Sequence, residues 1–144
     1  MAQAEVIDPH IMELVDGRPR LIGGRCGACA EIDFPRQDFC RSCGAAQISP
    51  VPLADRGVLW SWTIQRFPPP SPPYPPTGGD FEPFGVGYVE LPGQVIVESR
   101  LTVSDPAQLH IGMAMALVEF PVVGETGGRT VGFAFHPDSE GAAR

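Results

Sequence analysis

Cys26-Gly27-Ala28-Cys29 and, after ten intervening residues, Cys40-Arg41-Ser42-Cys43 hold all four cysteines of the chain. A CxxC turn sets two sulfurs on one side of a tight backbone reversal. Two such turns facing each other complete the tetrahedral thiolate cage that zinc prefers. Gly27 and Gly44 are the residues expected to supply positive φ in or just after the turns. The gap between the pairs is short for a zinc site but sufficient for a ribbon hairpin.

The alternative for four cysteines is a pair of disulfides in a secreted domain. Residues 1–17 carry Glu5, Asp8, Glu13 and Asp16 and no apolar segment of the kind a signal peptide needs, so a cytoplasmic chain with a metal site is expected. Four protein ligands leave no open coordination position, which makes the expected zinc structural rather than catalytic. An iron-loaded cage of the rubredoxin kind is the chemical alternative, because tetrahedral sulfur sites accept either metal.

The chain has 144 residues and a formal net charge of −7. All ten basic residues are arginine; the absence of lysine excludes a Schiff-base mechanism and a phosphate-loop lysine. A four-thiolate zinc site adds about −2. Arg25, Arg36 and Arg41 lie beside the cage in sequence and are placed to offset that charge. So acidic a chain is a poor sequence-independent binder of nucleic acid, and no apolar run approaches the length of a membrane span.

Around the ribbon the pattern is mainly β. Pro9–Val15 reads as a short helix with Asp8 as N-cap and Pro9 at its first position. Residues 20–25 and 31–34 read as short strands flanking the first knuckle. From Gly57 the residues alternate, with Val58, Trp60, Trp62 and Ile64 on one face. Val86 and Tyr88, then Val95, Val97, Ser99 and Leu101, give two strands around Leu91-Pro92-Gly93. Ala114, Ala116, Val118 and Phe120, then Val131, Phe133 and Phe135, give two more, with one helical turn over Asp105–Leu109. Five short strands without a long helix need closure to protect their edges, and a five-stranded barrel of the OB type fits the count. The expected organisation is an N-terminal helical segment (1–18), a zinc ribbon (19–50), an OB-type barrel (51–136) and a flexible tail (137–144).

Between the first two barrel strands lies a proline-rich loop, 67–84, with seven prolines between Pro68 and Pro76. Proline keeps such a loop extended and lowers the entropy lost on ordering. Its aromatics Phe67, Tyr74, Phe81 and Phe84 are what a partner- or substrate-docking segment needs. No set of catalytic groups is visible. The cysteines are committed to metal, and His10, His110 and His136 have no evident partners.

The order Gly23-Gly24-Arg25-Cys26-Gly27-Ala28-Cys29, Phe34-Pro35, Phe39-Cys40-Arg41-Ser42-Cys43-Gly44, followed by Gly85-Val86-Gly87-Tyr88-Val89-Glu90-Leu91-Pro92-Gly93, resembles a known family. It is similar to the rubredoxin-like zinc-ribbon plus OB-fold proteins called domain of unknown function 35, or acyl-CoA-associated zinc-ribbon proteins, over roughly residues 11–136. The resemblance implies a non-catalytic accessory subunit of a thiolase-fold complex, either a thiolase or a lipid-transfer-protein-like aldolase, making or breaking a carbon–carbon bond in an acyl-CoA. It also implies a thiolase-fold large subunit that carries the catalytic residues, a heterotetramer, and a barrel and loop that help enclose the CoA thioester. By charge alone, Arg66, Arg56, Arg100 and Arg129 are candidate CoA-binding residues, with Arg66 foremost because it ends the strand entering the proline loop.

Two other readings compete. Barrel and ribbon modules are also paired in nucleic-acid-binding proteins, but the acidic balance and the lack of an arginine cluster argue against that use. A one-iron electron carrier would declare itself by its red colour.

Overall fold

The computed structural model describes residues 5–66, 82–123 and 129–138. Along the chain come β1 (Glu5–Val6), β2 (Met12–Val15), β3 (Arg18–Cys26), β4 (Ile32–Asp33) and β5 (Ile48–Pro52). Then follow β6 (Arg56–Gln65), β7 (Phe84–Leu91), β8 (Val95–Leu101), a 3-10 turn (Pro106–Gln108), β9 (Ala114–Val123) and β10 (Arg129–Pro137). The molecule is mainly β, as its alternation implies.

The short helix expected over Pro9–Val15 is not formed. Asp8 does cap a turn: its side chain accepts from the His10 amide at 2.9 Å, and its carbonyl accepts from the Ile11 and Met12 amides, each at 3.1 Å. The turn does not propagate, because Asp16 (φ 53°) and Gly17 (φ 77°) make a two-residue hairpin loop that pairs Met12–Val15 with Arg18–Leu21. One helical turn is a costly nucleus, whereas the hairpin buries both Met12 and Leu21 completely.

β3 is the spine of the ribbon. It pairs with β2, with β4 through Gly24↔Asp33, and with β5 from Ile22↔Pro52 to Cys26↔Ile48. Gly24 lets the pieces close up: a β-carbon there would lie 2.6 Å from Arg36 Cβ and 2.7 Å from Ile48 Cγ2.

The five strands after the ribbon close on themselves in the order β6-β7-β8-β10-β9 and back to β6. All neighbours are antiparallel except β8 and β10, which run parallel at Phe135↔Leu101. This is the five-stranded OB-type barrel, and closure leaves those strands no long open edge.

The faces differ from the simple alternation. In β6, Trp60 is an extra residue at a bulge between Leu59 and Ser61, so the parity reverses there. Leu59 is buried before the bulge, and Trp62 and Ile64 pack on the core after it, while Trp60 turns out to solvent. In β7 the inward residues are Gly85, Gly87, Val89 and Leu91, leaving Tyr88 outside, and in β9 they are Met115 and Leu117. Val97, Ser99 and Leu101 face inward as expected. The helical turn after Val103 is a 3-10 turn capped by Asp105, whose side chain accepts from Ala107 at 3.0 Å.

A single apolar cluster runs through the molecule. Met12, Leu21 and Leu53 of the ribbon end join Leu59, Val89, Leu91, Val97, Leu101, Met115, Val131 and Phe135 of the barrel. The tail expected from Pro137 loses its first two residues to the barrel: Pro137 ends β10, and the Asp138 amide donates to the Ala114 carbonyl at 2.9 Å. Residues 139–144 lie outside the described residues.

Candidate metal centre and barrel groove

Each knuckle is built the same way. The Cys26 sulfur accepts from the amides of Ala28 (3.3 Å) and Cys29 (3.5 Å), and the Cys40 sulfur from those of Ser42 (3.3 Å) and Cys43 (3.4 Å). Ala30 then donates to the Cys26 carbonyl and Gly44 to the Cys40 carbonyl, each at 2.9 Å. Both closing residues have positive φ, 68° at Ala30 and 77° at Gly44. The expectation therefore holds at Gly44 but not at Gly27, whose equivalent role falls to Ala30. In both loops it is the fourth residue after the leading cysteine that turns left-handed.

The two loops bring the sulfurs together. Cys26 Sγ lies 3.6 Å from Cys43 Sγ, Cys29 Sγ lies 3.5 Å from Cys40 Sγ, and all four lie within 4.8 Å of one another. A zinc–sulfur tetrahedron with bonds near 2.3 Å has edges of about 3.8 Å, so the donor set and its spacing fit zinc. Amide hydrogen bonds from Cys29 and Ala28 hold the Cys26 thiol down to about 7, and those from Cys43 and Ser42 likewise lower Cys40. At Cys29 the Glu31 amide lowers the thiol pKa but is outweighed by the Cys40 sulfur, burial and the other sulfurs, which push it up to about 12. Cys43 is also raised: the Ala45 amide, the largest single effect, lowers it, but the Cys26 sulfur, burial and the Cys40 sulfur together outweigh it. Thus the leading cysteine of each pair is the more acidic and the second the less acidic, and any proton still held is given up when metal enters.

Arg41 does not simply offset the cage. Its Nε lies 2.6 Å from a carboxylate oxygen of the buried Asp33 and 3.1 Å from Glu31. Its charge is shared with two acids that residue spacing did not reveal as partners. Arg36 reaches His10, Nη2 to Nδ1 at 3.1 Å.

The four candidate arginines of the barrel are not brought to one place. Arg56, at the start of β6, lies 3.5 Å from Asp138, and Arg66, exposed, follows the other end of the same strand. The side chain of Arg129 lies outside the described residues. Arg100 lines a groove, its guanidinium 4.1 Å from the ring centroid of Phe84 and 4.4 Å from that of Phe120. Phe84 is not a loop residue: it begins β7 and is buried. Phe67, Tyr74 and Phe81 lie outside the described residues. The groove around Arg100 has a volume of roughly 270 Å³ and is walled by Ile7, Ile11, Val86 and Phe133 in addition to the two stacked rings, and the Glu98 carboxylate also lines it.

Among the described residues no catalytic triad is assembled: the one hydroxyl–imidazole pair, Thr102 with His136, is exposed, and no third side chain is hydrogen-bonded to that histidine. All three histidines are exposed; His136 Nδ1 lies 2.6 Å from Thr102 Oγ1, and the His110 amide donates to Met113 sulfur at 3.4 Å.

Two adjoining family models match this arrangement: the ChsH2 rubredoxin-like zinc ribbon domain over residues 17–49, and the ChsH2 C-terminal OB-fold domain over residues 50–120. The chain belongs to the domain of unknown function 35 family. A solved structure titled Ltp2-ChsH2(DUF35) aldolase superposes with a TM-score of 0.61 at 28% sequence identity, covering 82% of this chain and 84% of that one. A DUF35 domain-containing scaffold protein from Pyrococcus furiosus is 29% identical over 120 residues, 82% of this chain and 83% of its own. The benzoylsuccinyl-CoA thiolase subunit BbsA of Thauera aromatica is 34% identical over 95 residues, 65% of this chain and 60% of its own. Within this DUF35 chain the four cysteines form the structural zinc site of the ribbon. No helix among the described residues is long and apolar enough to cross a membrane.

Proposed function

We propose that the chain is a non-catalytic accessory subunit of a thiolase-fold enzyme complex that makes or breaks a carbon–carbon bond in an acyl-CoA. The observation that carries this reading is the likeness, over more than four-fifths of both chains, to a DUF35 chain titled as part of an Ltp2-ChsH2 aldolase. The thiolase subunit BbsA and the DUF35 scaffold proteins support it as relatives. The zinc ribbon is a staple: its four sulfurs close the coordination sphere and leave metal chemistry no role in the reaction.

In this reading the thiolase-fold partner brings the nucleophile and the bases, and the present chain orders it in a heterotetramer and helps enclose the thioester, excluding water. Arg100 is the foremost candidate for the CoA or acyl group, because it lies in an apolar groove between Phe84 and Phe120. Arg66 stands at the same end of the barrel, since Gln65 pairs with Phe84. Arg56 and Arg129 rank behind them, Arg56 because Asp138 already neutralises it. Phe67, Tyr74 and Phe81 complete the candidate loop. The nucleic-acid reading loses ground on the barrel's outer face, where Glu90 and Glu98 stand.

The test is reconstitution. The thiolase-fold chain of the same host is assayed for acyl-CoA cleavage or condensation alone, with the wild-type chain, and with Arg100→Met. Activity that needs the wild-type chain and falls about tenfold or more with the variant supports the reading. Full activity of the large chain alone contradicts it.

A further inference from the structure

Trp60 is the one aromatic of β6 that the bulge turns out of the barrel, and it is 55% exposed. Its ring meets Tyr88, itself 43% exposed, edge to face with centroids 6.4 Å apart. Tyr88 belongs to a square of outward residues on β7 and β8, because Tyr88 pairs with Glu98 and Glu90 with Ile96. All four are exposed. Glu98, paired with Tyr88 across the two strands, raises the pKa of its hydroxyl. Beside it, the Gly112 amide donates to the Leu59 carbonyl at 2.7 Å, so the turn carrying Ile111, 70% exposed, adjoins the strand at Trp60.

The result is an apolar platform of Trp60, Tyr88 and Ile96 with two carboxylates set into it. Trp and Tyr are the residues that most often anchor interfaces, where they fill pockets and lose little entropy on docking. The carboxylates say what covers them. A second copy of this chain laid over the same face would bring Glu90 and Glu98 against their own equivalents, in a protein already at −7. A surface with an apolar recess rimmed by arginine or lysine satisfies both the rings and the acids.

We propose that Trp60 and Tyr88 anchor the docking of the thiolase-fold large subunit, whose matching surface is an apolar recess with a basic rim. This rests on the accessory-subunit reading and adds the surface by which the partner is held.

The test co-expresses the chain with the thiolase-fold chain of its host and measures the dissociation constant of the pair by calorimetry. The variants are Trp60→Ala, Tyr88→Ala, Glu98→Arg and, on the ribbon, Phe39→Ala, which is also an exposed aromatic. Thermal melts of each free variant verify folding; Glu98→Arg replaces an exposed side chain and keeps the test alive if Trp60→Ala unfolds. The expected result is a roughly 30-fold or greater loss of affinity for Trp60→Ala, a loss for Glu98→Arg that shrinks at high salt, and no change for Phe39→Ala. Folded variants at Trp60 and Glu98 that bind within threefold of wild type overturn the docking surface and leave the accessory role standing. A wild-type chain that binds no thiolase-fold chain overturns both. A wild-type homodimer that Trp60→Ala dissolves assigns the face to self-association and overturns the proposal.

Discussion

Phe34 of the ribbon and Phe133 of β10 meet edge to face, their ring centroids 6.0 Å apart at an interplanar angle of 79°. The contact joins the segment between the two zinc knuckles to the closing strand of the barrel. It lies beside the cluster in which Met12, Leu21 and Leu53 share one core with Leu59, Leu101 and Phe135. Ribbon and barrel are therefore coupled by packing, and they should unfold together. A strong chelator is expected to lower the barrel's melting temperature as well as the ribbon's, in a single calorimetric transition. Phe34→Ala, at a half-buried position, is expected to cost about 1–3 kcal/mol, less than a fully buried phenylalanine. Two separate melts, with the barrel's unmoved by chelator, would contradict the coupling.

Metal uptake should release protons. Without metal, Cys26 sits at about 7 and Cys40 is also lowered, whereas Cys29 is raised to about 12 and Cys43 is raised too. Near pH 8 Cys26 is largely thiolate and Cys29 is protonated, so zinc, which takes thiolates, is expected to displace protons. The sign follows: acid returns protons to all four sulfurs and competes with the metal, so affinity falls as pH falls through the lowered pKa values. A competition titration with a chromophoric chelator between about pH 6 and pH 8 checks it, and pH-independent affinity would contradict it.

Asp33 is buried and held by Arg41 at 2.6 Å. Removing the arginine leaves a buried carboxylate without its cation, whereas removing the carboxylate leaves an arginine exposed to water. Arg41→Ala is thus expected to destabilise more than Asp33→Asn does, by about 1 kcal/mol. Urea melts of the two variants measure the difference. By contrast, Arg56→Ala, at an ion pair whose arginine is more than half exposed, is expected to cost less than about 1 kcal/mol.

Gly17 closes the hairpin that replaces the expected helix, at φ 77°. Nothing lies within 4 Å of a β-carbon there, so Gly17→Ala isolates the backbone term. A loss of about 1 kcal/mol is expected, visible as a lower denaturation midpoint. An unchanged midpoint would mean that this hairpin does not limit the stability of the ribbon end.

The parts of the molecule legible in its sequence were those where residue type is itself the chemistry. Four cysteines in two CxxC pairs specify a cage whatever surrounds them, and period-2 alternation counts strands without knowing their partners. Which side of a strand faces inward was less legible, because Trp60 sits at a bulge and one inserted residue reverses the parity of everything after it. The N-terminal segment carried two competing signals. Asp8-Pro9 favours a helix start and Asp16-Gly17 a hairpin, and the hairpin prevailed because it buries Met12 against Leu21. For the arginines, sequence supplied charge but not position: it could not tell that Asp138 returns to Arg56 or that Phe84 and Phe120 flank Arg100.

Co-expressed with the thiolase-fold chain of its host and examined by size-exclusion chromatography with light scattering, the protein should elute in one stoichiometric complex with the mass of two large and two small subunits. Its zinc content should be one per small chain. A free 15.4 kDa chain eluting apart from the thiolase-fold protein at micromolar concentration would contradict the accessory-subunit account.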